Sequence, residues 1–288
     1  MGLRDRAFRR YDGETTPRRR RFLVLWRYGR SEVFASRRVI ALFALAFAPI
    51  LVAAVLFYLR HNAPVLAAMD LSAADMVPID ASVFLILLRI QAAFAFVIVA
   101  LVGPGLVAPD LGNNGLALYL ARPFSRTEYV LGKMSVLLIL TSAITWVPLL
   151  LLWLLQAGLE PGWAAGHLRL VPAVLLGSWV WIGFLALLSL ALSAWVRWRV
   201  VAAALLVVVI VVATSLAEMI GAMFNTGWGD VLSPGRLVTA IWESLFYGAG
   251  SAINLRIPLP VAWVAFLAMC GLCLLVLDKK LAAYQVVR

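Results

Sequence analysis

Six apolar runs, each long enough to cross a bilayer, decide what this chain can fold into. They cover about residues 39–59, 83–107, 134–155, 171–196, 200–224 and 258–277. Crossing ~30 Å of hydrocarbon takes ~20 helical residues at 1.5 Å of rise each, so every run suffices, some with tilt. The reading is an all-α polytopic membrane protein with six transmembrane helices. Composition agrees: 64% of the residues are hydrophobic and 14% charged, too apolar a balance to clothe a soluble surface. Two cysteines exclude a disulfide scaffold. Tails and loops use up the remaining residues, and no separate soluble catalytic domain fits. The chain divides into a basic tail, 1–38, and a six-span membrane domain, 39–288.

Six spans put both termini on one side, and the basic residues say which. Twelve of the 25 Lys and Arg lie in the first 38 positions. Counted by side, 20 fall with the termini and 4 on the other face, with Arg89 inside a span. That bias places the termini in the cytoplasm of a cell with this protein in its plasma or inner membrane. The net charge of +11 therefore points to anionic lipid headgroups and not to nucleic acid. Within the tail, Phe22, Leu25, Trp26, Gly29 and Val33 share one helical face, with Arg27, Ser31 and Arg38 opposite. Residues 22–38 are expected as an amphipathic helix at the membrane interface or packed on the protein's own spans. Arg19-Arg20-Arg21-Phe22-Leu23 superficially resembles a twin-arginine signal, but charges follow where an uncharged stretch is required.

No catalytic set stands out. His61 and His167 fall in loops on the outer side, without metal-ligand spacing. Cys270 and Cys273 have C-x-x-C spacing inside the sixth run, where a thiolate would be poorly solvated, and read as small packing residues. Gly132-Lys133 fails as a P-loop, because Thr127 and Met134 stand where Gly and Ser or Thr are needed. The chain is expected to be no enzyme, to bind no cofactor directly and to leave any ATP-driven work to another polypeptide.

The connection between spans two and three carries the most information. Gly103-Pro104-Gly105 and Pro109 are expected to kink or end the second span. Leu116, Leu118, Tyr119 and Leu120 form an apolar element too short to span, closed by Arg122-Pro123. Ser125-x-x-Glu128 is a capping box that starts a helix running into span three. A short helix between bends on the cytoplasmic face is a surface another protein can grip.

This segment resembles the cytoplasmic signature of ABC-2 type transporter permeases. There an acidic residue closes the second span, here Asp110. A short Gly-Leu-rich helix follows, here 115–120, then Leu-x-Arg-Pro-x-Ser-Arg, here 120–126, and Glu-Tyr-Val-Leu-Gly-Lys, here 128–133. The amphipathic helix before span one, the span count and the cytoplasmic termini extend the resemblance over most of the chain. It implies the permease subunit of an exporter that pairs with a second permease copy, identical or related. Two separate ABC ATPase subunits would carry ATP-Mg. The resemblance implies an ATPase-coupling loop of Asp110, Asn113, Asn114, Gly115, Leu116, Leu118, Tyr119, Leu120, Arg122, Pro123 and Arg126. A non-transporting scaffold and an intramembrane lipid-modifying enzyme are the alternatives.

Two features remain on the outer side. Ser233-Pro234 is an N-cap and N1 pair, and apolar residues then recur every four positions to Phe246, with Gly248 as a stop. This short helix either re-enters between the last two spans, as in the family resembled, or lies at the interface. Arg89 and Glu218 each lie about two turns inside a span, where an ionised group costs roughly 2.5–3.5 kcal/mol at mid-depth. They are candidate substrate-pathway residues, expected to approach each other or a shared polar pocket.

Overall fold

The computed structural model describes Gly29 and residues 33–68, 78–112, 126–196, 198–248 and 257–283, and every regular element among them is a helix. In order these are α1 Arg37–Leu45, α2 Ala48–Arg60, α3 Ala63–Ala68, α4 Ala81–Gly112, α5 Arg126–Ser142 and α6 Trp146–Leu159. Then come α7 Trp163–Gly166, α8 Leu170–Trp195, α9 Arg199–Phe224, a 3₁₀ turn Gly227–Leu232, α10 Pro234–Tyr247 and α11 Leu259–Ala283. Six stretches are long and apolar enough to cross a membrane: Arg37–Arg60, Ala81–Ala108, Thr127–Leu159, Leu170–Trp195, Arg199–Phe224 and Leu259–Lys280. They coincide with the six runs of the sequence, the third extended at both ends.

Two spans are each made of two helices, and proline explains both breaks. A helical proline lacks the N–H for the carbonyl four residues back, and its ring crowds that carbonyl. Pro49 faces Leu45 in this way, and α1 ends there. The fully buried Gln91 of α4 donates from Nε2 to the Ala46 carbonyl in the gap, at 2.8 Å. Pro148 acts likewise on Ile144, between α5 and α6. There Thr145 Oγ1 donates to the Thr141 carbonyl at 2.8 Å, so the interruption satisfies polar groups with its own side chains.

Of the two outcomes expected for the second span, a kink or an end, the end does not occur. The Gly-Pro-Gly and Pro109 neither end it nor break it into two helices, and α4 continues to Gly112. Tertiary packing overrides the local signal. Gly103 lies against α8, where a Cβ would collide with Ser189 Oγ. Leu106, Val107 and Ala108 are buried beyond it.

α8 is the axle, packing against α4, α5, α6, α9, α10 and α11. Its apolar window is 67% buried, against 22%, 17% and 17% for the first, fifth and sixth spans. Trp181 in α8 donates to the Ala92 carbonyl of α4 at 2.9 Å. Those contacts sort the loops into two ends. At the distal end, His61 sits 3.4 Å from Glu160, and Trp163 Nε1 donates to the Ile79 carbonyl at 3.2 Å. At the proximal end, Arg199 donates to the Leu101 carbonyl, and Trp195 packs beneath Lys280.

Of the expected interfacial helix, Gly29 and residues 33–38 are described. Gly29 is pressed on α5, where a Cβ would come within 2.8 Å of Val136 Cγ2, and Val33 is buried. Those two positions of the apolar face pack on the protein's own spans. The rest of that face, Phe22, Leu25 and Trp26, lies outside the described residues.

Candidate functional site: a helix held by ion pairs at the distal end

α10 forms for reasons visible in its ends. Ser233 Oγ accepts from the Arg236 N–H, Pro234 occupies the first turn, and Gly248 closes the helix at φ 96°. Gly248 is doubly required. That backbone region disfavours side chains, and a Cβ would also sit 2.8 Å from Arg169 Nη1. The same Arg169 donates from Nη2 to the Ser244 carbonyl at 3.0 Å, binding the last turn of α10.

The apolar face of α10 is sunk into the bundle. Leu237, Val238, Ile241, Trp242 and Phe246 are all buried, and the helix packs on α4, α8, α9, α11 and the 3₁₀ turn. Trp242 Nε1 donates to the Gly177 carbonyl of α8 at 2.8 Å. A Cβ on Gly177 would meet Trp242 Cδ1 at 3.0 Å, so the indole needs a glycine there. Gly177 lies about two turns inside α8. α10 is therefore an inserted helix, not one lying across the helix ends.

Its polar residues form two ionic ties. Arg236 donates to Asp230 at 2.9 Å and to Glu218 of α9 at 3.0 Å. The Glu218 hydrogen bond comes first among the causes that hold the Arg236 guanidinium above its ordinary value; burial acts against it, and Asp230 adds to the rise. Two turns along α10, Glu243 accepts from Arg89 of α4 at 2.8 Å. At the start of α10, the Thr214 and Ser233 hydroxyls stand 3.2 Å apart. The two in-span ions of the sequence thus do not meet. Each is neutralised by a different residue of α10, an inserted element whose partners the sequence pattern did not name.

Arg236, Glu243, Asp230 and Arg169 were missed as site residues. One signal was available: Arg236 and Glu243 are seven apart, two helical turns, and so share a face of a helix whose start was legible. Asp80 was missed too. It caps α4, its Oδ1 accepting from the Ser82 and Val83 N–H groups at 2.9 and 3.4 Å.

The coupling-loop residues Asn113, Asn114, Gly115, Leu116, Leu118, Tyr119, Leu120, Arg122 and Pro123 lie outside the described residues. Asp110 falls in the last turn of α4, and Arg126 is the first residue of α5. Beyond it, Tyr129 is almost wholly buried, with the Lys133 ammonium 5.7 Å from its ring centroid.

Chemically, the distal site pairs and positions charge. Its carboxylates accept from arginines. No group of three or more His, Cys, Asp or Glu able to hold a metal is found among the described residues. The chain matches no protein-family model and no curated protein.

Proposed function

We propose that the chain is the permease subunit of an ABC-2 type transporter, forming an export pathway and driven by separate ATPase subunits that bind ATP-Mg. Six membrane-length helices support the reading, and the segment from Asp110 to Lys133 carries it. The helices on either side of the connection end at Gly112 and begin at Arg126, at the proximal end. That is also the end of Arg37, Arg38 and Arg199, the basic side by the charge bias. In this reading the connection seats in a groove of the ATPase, with Tyr119 as the aromatic anchor and Asp110, Arg122 and Arg126 setting register. A second permease copy completes the pathway, and α10 closes its distal end until the ties to Arg89 and Glu218 release.

Purification from native membranes tests this. An ABC ATPase should copurify, and cysteines replacing Leu116 or Tyr119 should crosslink to it. Tyr119→Ala should leave the chain inserted but uncouple ATP hydrolysis from transport. Absence of any ATPase, or crosslinks only from the 197–199 loop, would sink the assignment.

A further inference from the structure

Three arginines from two separate spans converge on one pocket at the proximal end. Arg37 and Arg38 start α1, Arg199 starts α9, and with Ser36 they line a space of about 640 Å³ whose apolar walls include Leu101 and Val200. No carboxylate lines it, and among the described residues none of the three guanidinium groups has an acidic partner. Arg199 is set in place by its 3.2 Å bond to the Leu101 carbonyl. Its side chain lies along α4 beside Gly105.

The backbone adds to the same field. α1 and α9 both begin at this pocket, and neither Ser36 nor Trp198 caps its helix with a side chain. Both helix starts carry the positive end of a helix dipole, which no side-chain cap offsets. Three cations and two uncapped helix starts call for an anion with several acceptor oxygens, and forked guanidinium donors match a phosphate. The surroundings select the source. Val200 and Trp198 on the rim are 79% and 75% exposed, and the apolar face of α9 continues from them, largely bare. A soluble phosphate gains nothing from that face, whereas acyl chains lie along it.

The geometry points to a binding site for the phosphate of an anionic phospholipid headgroup, held by Arg37, Arg38 and Arg199 with its chains against α9. This goes beyond the permease reading above and gives the anionic headgroups implied by the basic excess a specific site. It rests on the helices crossing a bilayer and is independent of any ATPase. By the charge bias, the lipid belongs to the cytoplasmic leaflet.

Native mass spectrometry of the purified full chain, with added phosphatidylglycerol or phosphatidylcholine, tests it. Phosphatidylglycerol should be retained preferentially. The pair Arg38→Gln and Arg199→Gln should cut that retention roughly tenfold or more, the loss expected from removing charge-assisted hydrogen bonds. Lys279→Gln with Lys280→Gln removes as much charge at the same end of the bundle and should change retention by no more than about twofold. Arg199→Lys, the conservative variant, should fall between, because an ammonium cannot fork. Equal losses in both double variants would mean diffuse attraction and overturn the site. So would equal retention of the two lipids, or binding of inorganic phosphate without retention of lipid. ATPase copurification is read separately, so failure here leaves the permease reading standing, and the converse holds.

Discussion

Arg89 of the second span and Glu243 of α10 meet at 2.8 Å across 154 positions of sequence. Both side chains are partly exposed, at 43% and 24%, so the pair is screened and its net worth is modest. A double-mutant cycle with Arg89→Gln and Glu243→Gln should show coupling of about 0.5–1.5 kcal/mol in thermal or chemical unfolding. The same cycle on Arg89 and Glu218 should be additive, since they share no partner. The reverse ranking would refute the assigned pairing.

Arg236 serves two carboxylates unequally. Asp230 is 13% exposed and Glu218 62%. A buried acceptor suffers more from losing its charge-assisted bond than one that water can serve. Asp230→Asn should therefore destabilise more than Glu218→Gln, and Arg236→Gln more than either. Denaturation midpoints of the three variants in one detergent settle the order.

Gly177 and Trp242 form a fitted contact. Gly177→Ala should cost about 1–3 kcal/mol by overpacking the indole and Leu88. Trp242→Phe should cost about 1 kcal/mol, the usual net value of one hydrogen bond. Gly177→Ala combined with Trp242→Phe should recover part of the first loss. If the double variant is simply the sum, the glycine is not there for the indole.

Asp80 gives the stability a dependence on acid pH. Burial raises its carboxyl, but hydrogen bonds from Ser82 Oγ and from the Ser82 and Val83 N–H groups outweigh this and hold it below the ordinary 3.8. The folded value lies below the unfolded one. Its contribution is thus complete above 3.8 and fades as pH falls through the lowered value. Asp80→Ala should cost about 0.5–2 kcal/mol near neutrality, while Asp80→Asn still caps and costs less. Unfolding of Asp80→Asn from neutral to strongly acidic pH should lose the part of the pH dependence that Asp80 supplies. An unchanged profile would remove the carboxylate from the account.

Sidedness is open to direct labelling. With Cys270 and Cys273 replaced, cysteines at Asp75 and Trp228 should react with an impermeant reagent outside intact cells, and one at Asn114 should not. The opposite pattern would invert the topology drawn from the basic residues.

The sequence made the spans legible because hydropathy is a local property summed over twenty residues. Ser233, Pro234 and Gly248 announced α10 for the same reason, since caps act within a turn. The insertion of α10 depends on Gly177, some sixty residues away, and no local pattern carries that. The distal ion pairs were hidden likewise. Arg89 and Glu218 stood out as ions inside apolar runs, but their partners were on a helix of ordinary polarity. Prolines cut both ways. Pro49 and Pro148 interrupt their spans in the structure, whereas Pro104 and Pro109, where a kink or an end was expected, lie within one helix that packs against α8 at Gly103.

The burial of α8 also sets a schedule. A ribosome delivers the chain from its amino end, so three spans enter the bilayer before residues 170–195 exist. Until then the face of α4 that meets Trp181 and Ser189 touches only lipid, an insertase or its earlier neighbours. Closure must wait for the fourth helix, and the unfinished intermediate is a loose set of three. A nascent chain stalled short of Trp195 should be the species that quality-control proteases recognise, and full protection should arrive in one step as α8 is threaded in.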